Sequence, residues 1–211
     1  MRSPRGWIGR CAIVACALLV LVACGKAPQL PRLGPDDVVL AFGDSLTHGT
    51  GARDEESYPD VLAALIGRKV VRAGVPGEVT SQGVGRLGQA LDTHRPKIVL
   101  LCLGGNDMLR RLNDATIVAN LRAMIAAAYS RGTAVVLLGV PRPALFGGAA
   151  TFYADLADEY DLVYEGDVIN TVLRDPALKS DPIHPNADGY RRIAEAIAAL
   201  LRKRGALPGN P

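Results

Sequence analysis

Residues 38–49 read VVLAFGDSLTHG, a run of apolar residues followed directly by a short polar turn. The apolar run at 38–42 continues without polar alternation into a glycine, which is typical of a strand buried on both faces of a parallel sheet. Ser45 follows in a turn flanked by glycines. Since functional loops in such sheets lie beyond the carboxyl ends of the strands, the stretch predicts an α/β protein that exposes the Ser45 hydroxyl there.

Similar apolar runs recur along the chain and alternate with helical patterns. The further strands are predicted at residues 69–73, 98–103, 134–140 and, more weakly, 162–164. Helices are predicted from Ser57 to 66, from Thr80 or Ser81 to 94, and over 114–131, 151–160 and 186–204. Strands that alternate with helices predict a three-layer α/β/α sandwich around a flavodoxin-like parallel sheet of about five strands.

Composition bounds the class of protein. With 211 residues, 49% hydrophobic and 21% charged, the chain has the length of one domain and the composition of a globular one. Aromatic residues at 5% argue against a surface for stacking nucleic-acid bases. The 24 Lys and Arg exceed the 21 Asp and Glu by three, and residues 1–23 hold three Arg and no acid. The remainder is neutral, so no nucleic-acid partner is expected.

The N-terminus has the pattern of an export signal. A basic segment precedes an apolar run at 11–23, which is shorter than the roughly 20 residues that a membrane-spanning helix needs. The run ends LVAC at 21–24, which resembles a bacterial lipobox, and this resemblance implies that Cys24 is lipidated. We expect an exported protein of the cell envelope that faces the periplasm and is attached to a membrane through this lipid. A plain cleaved signal peptide is the alternative.

The predicted domain boundaries follow from these patterns. Residues 1–23 form the signal peptide, and 24–37 form the lipidated cysteine and a Gly/Pro-rich tether. The folded domain is expected over 38–205, with a flexible tail at 206–211 and no second domain. The protein is expected to be a monomer.

Three later loops contain residues that fit catalysis. In SDPIHPN at 180–186, an acid three residues before His184 can bind one ring nitrogen and leave the other as a general base. LGGND at 103–107 and VVRAGVPGE at 70–78 offer an amide and glycine N–H groups near a ligand. Taken singly, each loop also fits ordinary turn chemistry, and His48 is a competing base.

Together the blocks GDSLTHG (43–49), VPGE (75–78), GGND (104–107) and DPIHPN (181–186) resemble the SGNH hydrolases, or GDSL esterases. The likeness is strongest to the bacterial arylesterase and thioesterase–lysophospholipase branch. The resemblance implies Ser45 as nucleophile, His184 as base and Asp181 as the acid that orients it. It also implies an oxyanion hole formed by the Ser45 N–H, the Gly77 N–H and the Asn106 side chain. No cofactor or metal is implied.

One residue departs from the family pattern, because Arg72 stands where many members have Asn. We expect this change to affect support of the loop more than the chemistry.

Other enzyme classes fit less well. Ser45 lacks the G-x-S-x-G surroundings of an α/β-hydrolase, and the first strand lacks the G-x-G-x-x-G of a dinucleotide-binding fold. Three widely spaced His give no metal-site pattern. The sequence therefore predicts a serine hydrolase that cleaves a small acyl ester or thioester. A carbohydrate or cell-wall O-acetylesterase and a non-catalytic envelope lipoprotein of the same fold remain alternatives.

Overall fold

A five-stranded parallel sheet forms the centre of the computed structural model, which describes residues 27–142 and 148–208. The strands are β1 (Val38–Gly43), β2 (Lys69–Gly74), β3 (Ile98–Cys102), β4 (Ala134–Leu138) and β5 (Val163–Glu165). They are hydrogen-bonded in the order β2-β1-β3-β4-β5, and all pairs are parallel. Each strand begins and ends within two residues of its predicted range. The predicted α/β fold is confirmed.

Helices cover both faces of this sheet. They are α1 (Ser45–His48), α2 (Tyr58–Ile66), α3 (Thr80–His94), α4 (Gly105–Leu109), α5 (Asp114–Tyr129), α6 (Thr151–Glu159), α7 (Val168–Arg174) and α8 (Ala187–Lys203), with 3-10 turns at Asp54–Glu56 and Pro176–Leu178. α2 packs against α8, and α3 packs against α5. Every residue of β3 is buried, which explains why its sequence is apolar throughout and does not alternate with polar residues. The short helices α1, α4 and α7 were not predicted.

The strand order fixes where a ligand can bind. The chain passes from β1 to β2 on one side and then crosses to β3 on the other side of β1. In open parallel sheets, the crevice for ligands lies beyond the carboxyl ends of the strands where the order reverses. In this fold, that point lies between β1 and β3, which end immediately before α1 and α4.

The helix starts were predicted in part. Ser57 caps α2 as expected, with its Oγ accepting from the Asp60 N–H and Pro59 in the first turn. For α3 the prediction was wrong, because the N-cap is Val79. The Thr80 N–H and hydroxyl both donate to the Asp107 carboxylate, at 2.9 and 2.6 Å, and the hydroxyl oxygen accepts from Asn120 Nδ2 at 3.0 Å, so the side chain does not cap the helix.

The packed domain is longer at both ends than predicted. The Leu30 and Leu33 N–H groups donate to the carbonyls of Arg204 and Ala206, each at 2.8 Å. Leu30, Leu33, Ala206 and Leu207 are all buried. Much of the predicted tether and the start of the predicted tail therefore belong to the domain, because their apolar side chains pack on it.

The predicted signal peptide and Cys24 lie outside the described residues. Among the residues that are described, no helix combines the length and the apolar character that crossing a membrane requires.

Candidate active site

Ser45 is the first residue of α1 and lies directly beyond the carboxyl end of β1. The turn before it is tight: a Cβ at Gly43 would collide with Thr47 Oγ1 and the Cys102 carbonyl. Asp44 caps α1, with Oδ1 accepting from the Leu46 N–H at 3.0 Å. A strand that ends in glycine and a capped short helix thus present the Ser45 hydroxyl to the cleft.

His184 lies against Ser45, although the two residues are 139 positions apart in the chain. Its Nε2 is 3.0 Å from Ser45 Oγ, and its Nδ1 is 2.7 Å from Asp181 Oδ2. The structure thus brings together the three residues that the sequence selected for a triad. His48 is exposed and is not the histidine beside Ser45.

Asp181 is held by its own loop. Its Oδ1 accepts from the Ile183 and His184 N–H groups at 2.8 and 2.9 Å, which leaves Oδ2 for the His184 ring. Partial burial acts to raise the pKa of Asp181, but the bonds from the His184 ring and the two N–H groups outweigh it and lower that pKa below its usual value. Asp181 is therefore ionised at neutral pH and fixes the orientation of the ring.

Gly77 and Asn106 line the same cleft as Ser45. Gly77 has a positive φ of 77°, a backbone conformation that residues other than glycine rarely adopt. Its carbonyl accepts from Arg110 Nη2 at 3.0 Å. Within residues 27–142 and 148–208, the N–H groups of Ser45 and Gly77 have no acceptor. Two N–H donors therefore remain free for a ligand.

The Asn106 amide differs from these two donors. It lies in α4, just beyond β3, and its Nδ2 donates to Asp44 Oδ2 at 3.2 Å and to the Glu78 carbonyl at 3.0 Å. An amide nitrogen has two hydrogens, so both are used.

Sequence reasoning missed the buried acid beside Ser45. Asp44 is 2% exposed. Burial raises its pKa to about 7, against the lowering effects of the Leu46 N–H and His184, and the acids Glu78 and Asp107 add to the rise. The available signal was its position, since it directly follows a fully apolar strand that ends in glycine.

Arg72 supports a loop, in line with the expectation for this departure from the family pattern. Its Nη1 donates to the carbonyls of His48 and Asp54 at 3.3 and 3.1 Å, and to Asp54 Oδ1 at 3.2 Å. The guanidinium thereby ties the end of α1 to the 3-10 turn that precedes α2.

The cleft around Ser45 has a volume of about 900 Å³. Its lining is largely apolar and includes Leu46, Pro76, Leu109, Val140, Leu173 and Ile183. Cationic side chains also line it, from Arg142, Arg174 and Lys179. Over the described residues, no group of three or more His, Cys, Asp or Glu is arranged to hold a metal ion.

A serine, a histidine and an acid joined by hydrogen bonds at the switch point of a parallel sheet are the arrangement of a serine hydrolase. The comparisons with known proteins name the same class more narrowly. Residues 41–192 match the GDSL-like Lipase/Acylhydrolase family. The chain belongs to this family, and it is an ester hydrolase.

Individual relatives agree with this assignment. The chain is 31% identical to the arylesterase of Vibrio mimicus over 196 residues, which cover 88% of this chain and 96% of that protein. It is 30% identical to the thioesterase 1/protease 1/lysophospholipase L1 of Escherichia coli K12 over 179 residues, covering 81% and 86%. Among solved structures, the SGNH-hydrolase family esterase AlinE4 matches with a TM-score of 0.62 and 31% identity, covering 82% of this chain and 98% of that one.

Proposed function

We propose that the protein hydrolyses carboxylic esters or thioesters through an acyl-enzyme on Ser45. The strongest support is the unbroken hydrogen-bonded chain from Asp181 through His184 to Ser45 at the cleft. Because ionised Asp181 accepts from the Nδ1–H, Nε2 is left with a lone pair that faces the Ser45 hydroxyl.

In the first step, Ser45 Oγ bonds to the acyl carbon while its proton passes to His184 Nε2. The carbonyl electron pair moves onto the acyl oxygen, which accepts from the Ser45 and Gly77 N–H groups. Asn106 becomes the third donor by releasing the longer of its two bonds, the one to Asp44 at 3.2 Å. Since a protonated carboxyl is a poorer acceptor than a carboxylate, the raised pKa of Asp44 makes this release easier near neutral pH.

In the second step, the bond from the acyl carbon to the leaving oxygen or sulfur breaks. The Nε2 proton of His184 passes to that atom, so an alcohol or thiol departs. Water then attacks the acyl-enzyme and gives its proton to Nε2, and the carboxylic acid leaves as Ser45 regains its proton. Asp181 stabilises the imidazolium in both halves without itself taking the proton.

The walls of the cleft favour an apolar acyl or aryl group. Leu46, Leu109 and Ile183 line it with apolar surface close to the triad. Because apolar surface makes up most of the lining, beside the cationic groups of Arg142, Arg174 and Lys179, the cleft favours simple esters and thioesters over acetylated carbohydrates, whose hydroxyls each need a polar partner. The names of the two curated relatives, an arylesterase and a thioesterase–lysophospholipase, support the same substrate class.

A chain-length series of p-nitrophenyl esters tests this function, using residues 25–211 beside the Ser45→Ala variant. Ser45→Ala should unfold like the wild type and lose nearly all turnover, because it deletes one hydroxyl from the cleft. His184→Ala should behave in the same way. Faster hydrolysis of acetylated sugars than of every p-nitrophenyl ester would favour the O-acetylesterase. Turnover that survives in Ser45→Ala would contradict the mechanism.

We further propose that residues 1–23 direct export to the cell envelope and that Cys24 bears the membrane anchor. The support is the sequence LVAC at the end of a short apolar run with a basic start. Because a single acyl chain binds membranes only weakly, a stable attachment requires more than one chain, as on a diacylglyceryl cysteine.

A further inference from the structure

A partly buried salt bridge adjoins the loop that contains Gly77. Glu78 directly follows Gly77, and 4% of its side chain is exposed. Arg86, in α3, donates from Nε to Glu78 Oε1 at 2.8 Å and from Nη2 to Oε2 at 2.6 Å. Two parallel bonds between a guanidinium and a carboxylate fix both position and angle, so the main chain at residue 78 is held firmly.

The same guanidinium also contacts the ends of two strands. One Nη2 hydrogen is used by Glu78, and the other is shared between the carbonyls of Ala73 at 3.1 Å and Gly43 at 3.4 Å. The guanidinium carbon lies 4.0 Å from the centre of the Phe42 ring, a distance at which a cation and an aromatic face attract. In the register of β1 and β2, Phe42 pairs with Ala73 and Gly43 pairs with Gly74, so Ala73 and Gly43 are diagonal neighbours at the ends of the strands from which the Gly77 and Ser45 loops leave the sheet.

The third oxyanion donor is tied to this salt bridge as well. The Glu78 carbonyl accepts from Asn106 Nδ2 at 3.0 Å, which is the shorter of the two bonds of that amide. The Arg86–Glu78 pair therefore contacts the main chain or side chain that holds each of the three donors. Gly43 lies two residues before Ser45, Glu78 follows Gly77, and Asn106 donates to the Glu78 carbonyl.

We propose that Arg86 and Glu78 are positioning residues that set the relative placement of the three oxyanion donors. The inference rests on the proposed function, since those donors act only in ester hydrolysis. Arg86 suits the task because its planar fork binds a carboxylate and carbonyls at once. A lysine keeps the charge but places a single ammonium group there.

The test compares Arg86→Lys with a matched control, Arg122→Lys. Arg122 makes a similar two-bond pair with Glu159, at 3.0 and 2.6 Å, which joins α5 and α6 and is absent from the lining of the cleft. Both variants are made in the full-length protein, purified in detergent and assayed with p-nitrophenyl butyrate. Arg86→Lys should lower kcat about 10- to 100-fold, somewhat less than the loss of one donor, while Arg122→Lys should leave it unchanged.

Three measurements separate positioning from a loss of stability. KM should change by less than about two-fold, because the oxyanion bonds strengthen mainly in the transition state. A boronic acid that forms a tetrahedral adduct with Ser45 should bind Arg86→Lys more weakly by the factor lost in kcat. In an Asn106→Ala background, the effect of Arg86→Lys should shrink to a few-fold, because one of the donors it positions is already gone.

Each outcome decides the inference. Unchanged kcat per fluorophosphonate-titrated site in Arg86→Lys would overturn it, even if the variant melts at a lower temperature. If Arg86→Lys does not fold, the double variant Arg86→Met/Glu78→Gln removes both charges together and leaves none unpaired, and its kcat decides in the same way. A wild type that cleaves no ester would contradict the proposed function, and this inference with it. An active wild type with equally active variants would contradict the inference alone.

Discussion

Replacing Asp44 by asparagine should change how the stability of the protein depends on pH. Asp44 is almost completely buried, and its pKa in the folded protein is raised from 3.8 to about 7 by burial. The folded state then binds the Asp44 proton more tightly than the unfolded state does. Stability from this group is full below pH 3.8 and is lost as the pH rises toward 7. Asparagine has no such proton, so the loss should be absent in Asp44→Asn.

The size of the effect follows from the two pKa values. Ionising Asp44 in the folded protein should cost about 4 kcal/mol above pH 7, at about 1.4 kcal/mol for each pH unit between the unfolded and folded values. Asparagine Oδ1 can still accept from the Leu46 N–H, but its NH₂ group cannot accept from Asn106 in place of Oδ2. The pH-independent part of that loss cancels when the difference between the two proteins is compared across pH, and the change of the bond on ionisation is already contained in the folded pKa of about 7.

Urea unfolding of both proteins at intervals from pH 4 to 8 measures the difference. The free energy of unfolding of Asp44→Asn should rise relative to the wild type by about 4 kcal/mol over this range. Asp92→Asn is the control: Asp92 is exposed, and its hydrogen bond with Arg131 lowers its pKa below 3.8. Its difference from the wild type should stay flat from pH 5 to 8. A difference for Asp44→Asn that varies by less than about 1 kcal/mol would refute the reasoning, since the folded pKa could then not be near 7.

Three further predictions concern the oxyanion hole, the domain boundary and the anchor. Asn106→Ala should lower kcat by roughly 10²–10³ with little change in KM, and a raised KM at constant kcat would instead make Asn106 a ground-state binding residue. Leu33→Ala should lower the free energy of unfolding by about 2–4 kcal/mol, whereas Leu112→Ala, at an exposed position, should change it by less than about 0.5 kcal/mol. Equal effects would show that Leu33 belongs to a tether and not to the packed domain. The wild type should stay in the membrane fraction through a high-salt wash, whereas Cys24→Ser should incorporate no labelled fatty acid and should be absent from that fraction. A wild type that carries no lipid would indicate a plain cleaved signal peptide.

The sequence predicted the sheet and the triad because local patterns encode both. Each strand is a short apolar run between turns, and the structure keeps each run within two residues. Asp181 and His184 are three residues apart, so their contact is local and can be inferred from spacing. Their meeting with Ser45 was implied by the resemblance to the SGNH hydrolases, and it agrees with the general rule that loops gather at the carboxyl ends of parallel strands.

What the sequence did not predict depends on contacts between distant segments. Thr80 looks like a helix cap, but a carboxylate 27 residues away binds its hydroxyl. Nothing in the sequence distinguishes Glu78 and Arg86 from other charged residues. Their role depends on the ends of β1 and β2, which place two carbonyls against the same guanidinium. The segment before β1 has the composition of a linker, and only its pairing with the C-terminal segment shows that Leu30 and Leu33 are packed. Composition alone therefore misplaced the domain boundary.

The pairing of the N-terminal segment with the end of α8 fixes where the chain leaves the domain. α8 starts three residues after His184 and runs 17 residues, about 25 Å, before it reaches Arg204 and Ala206, which bind Leu30 and Leu33. The exit point therefore lies on the opposite pole of the molecule from the cleft.

This polarity determines how an anchored enzyme would sit on a bilayer. From Cys24 to Leu30 the chain can span about 20 Å when fully extended, which is less than the length of α8. A lipid on Cys24 would then hold the domain at the side where α8 ends, and the mouth of the cleft would face away from the lipid headgroups. In that orientation the enzyme would draw on acyl esters dissolved in the surrounding water, and lipids of its own leaflet would reach Ser45 only after leaving the bilayer.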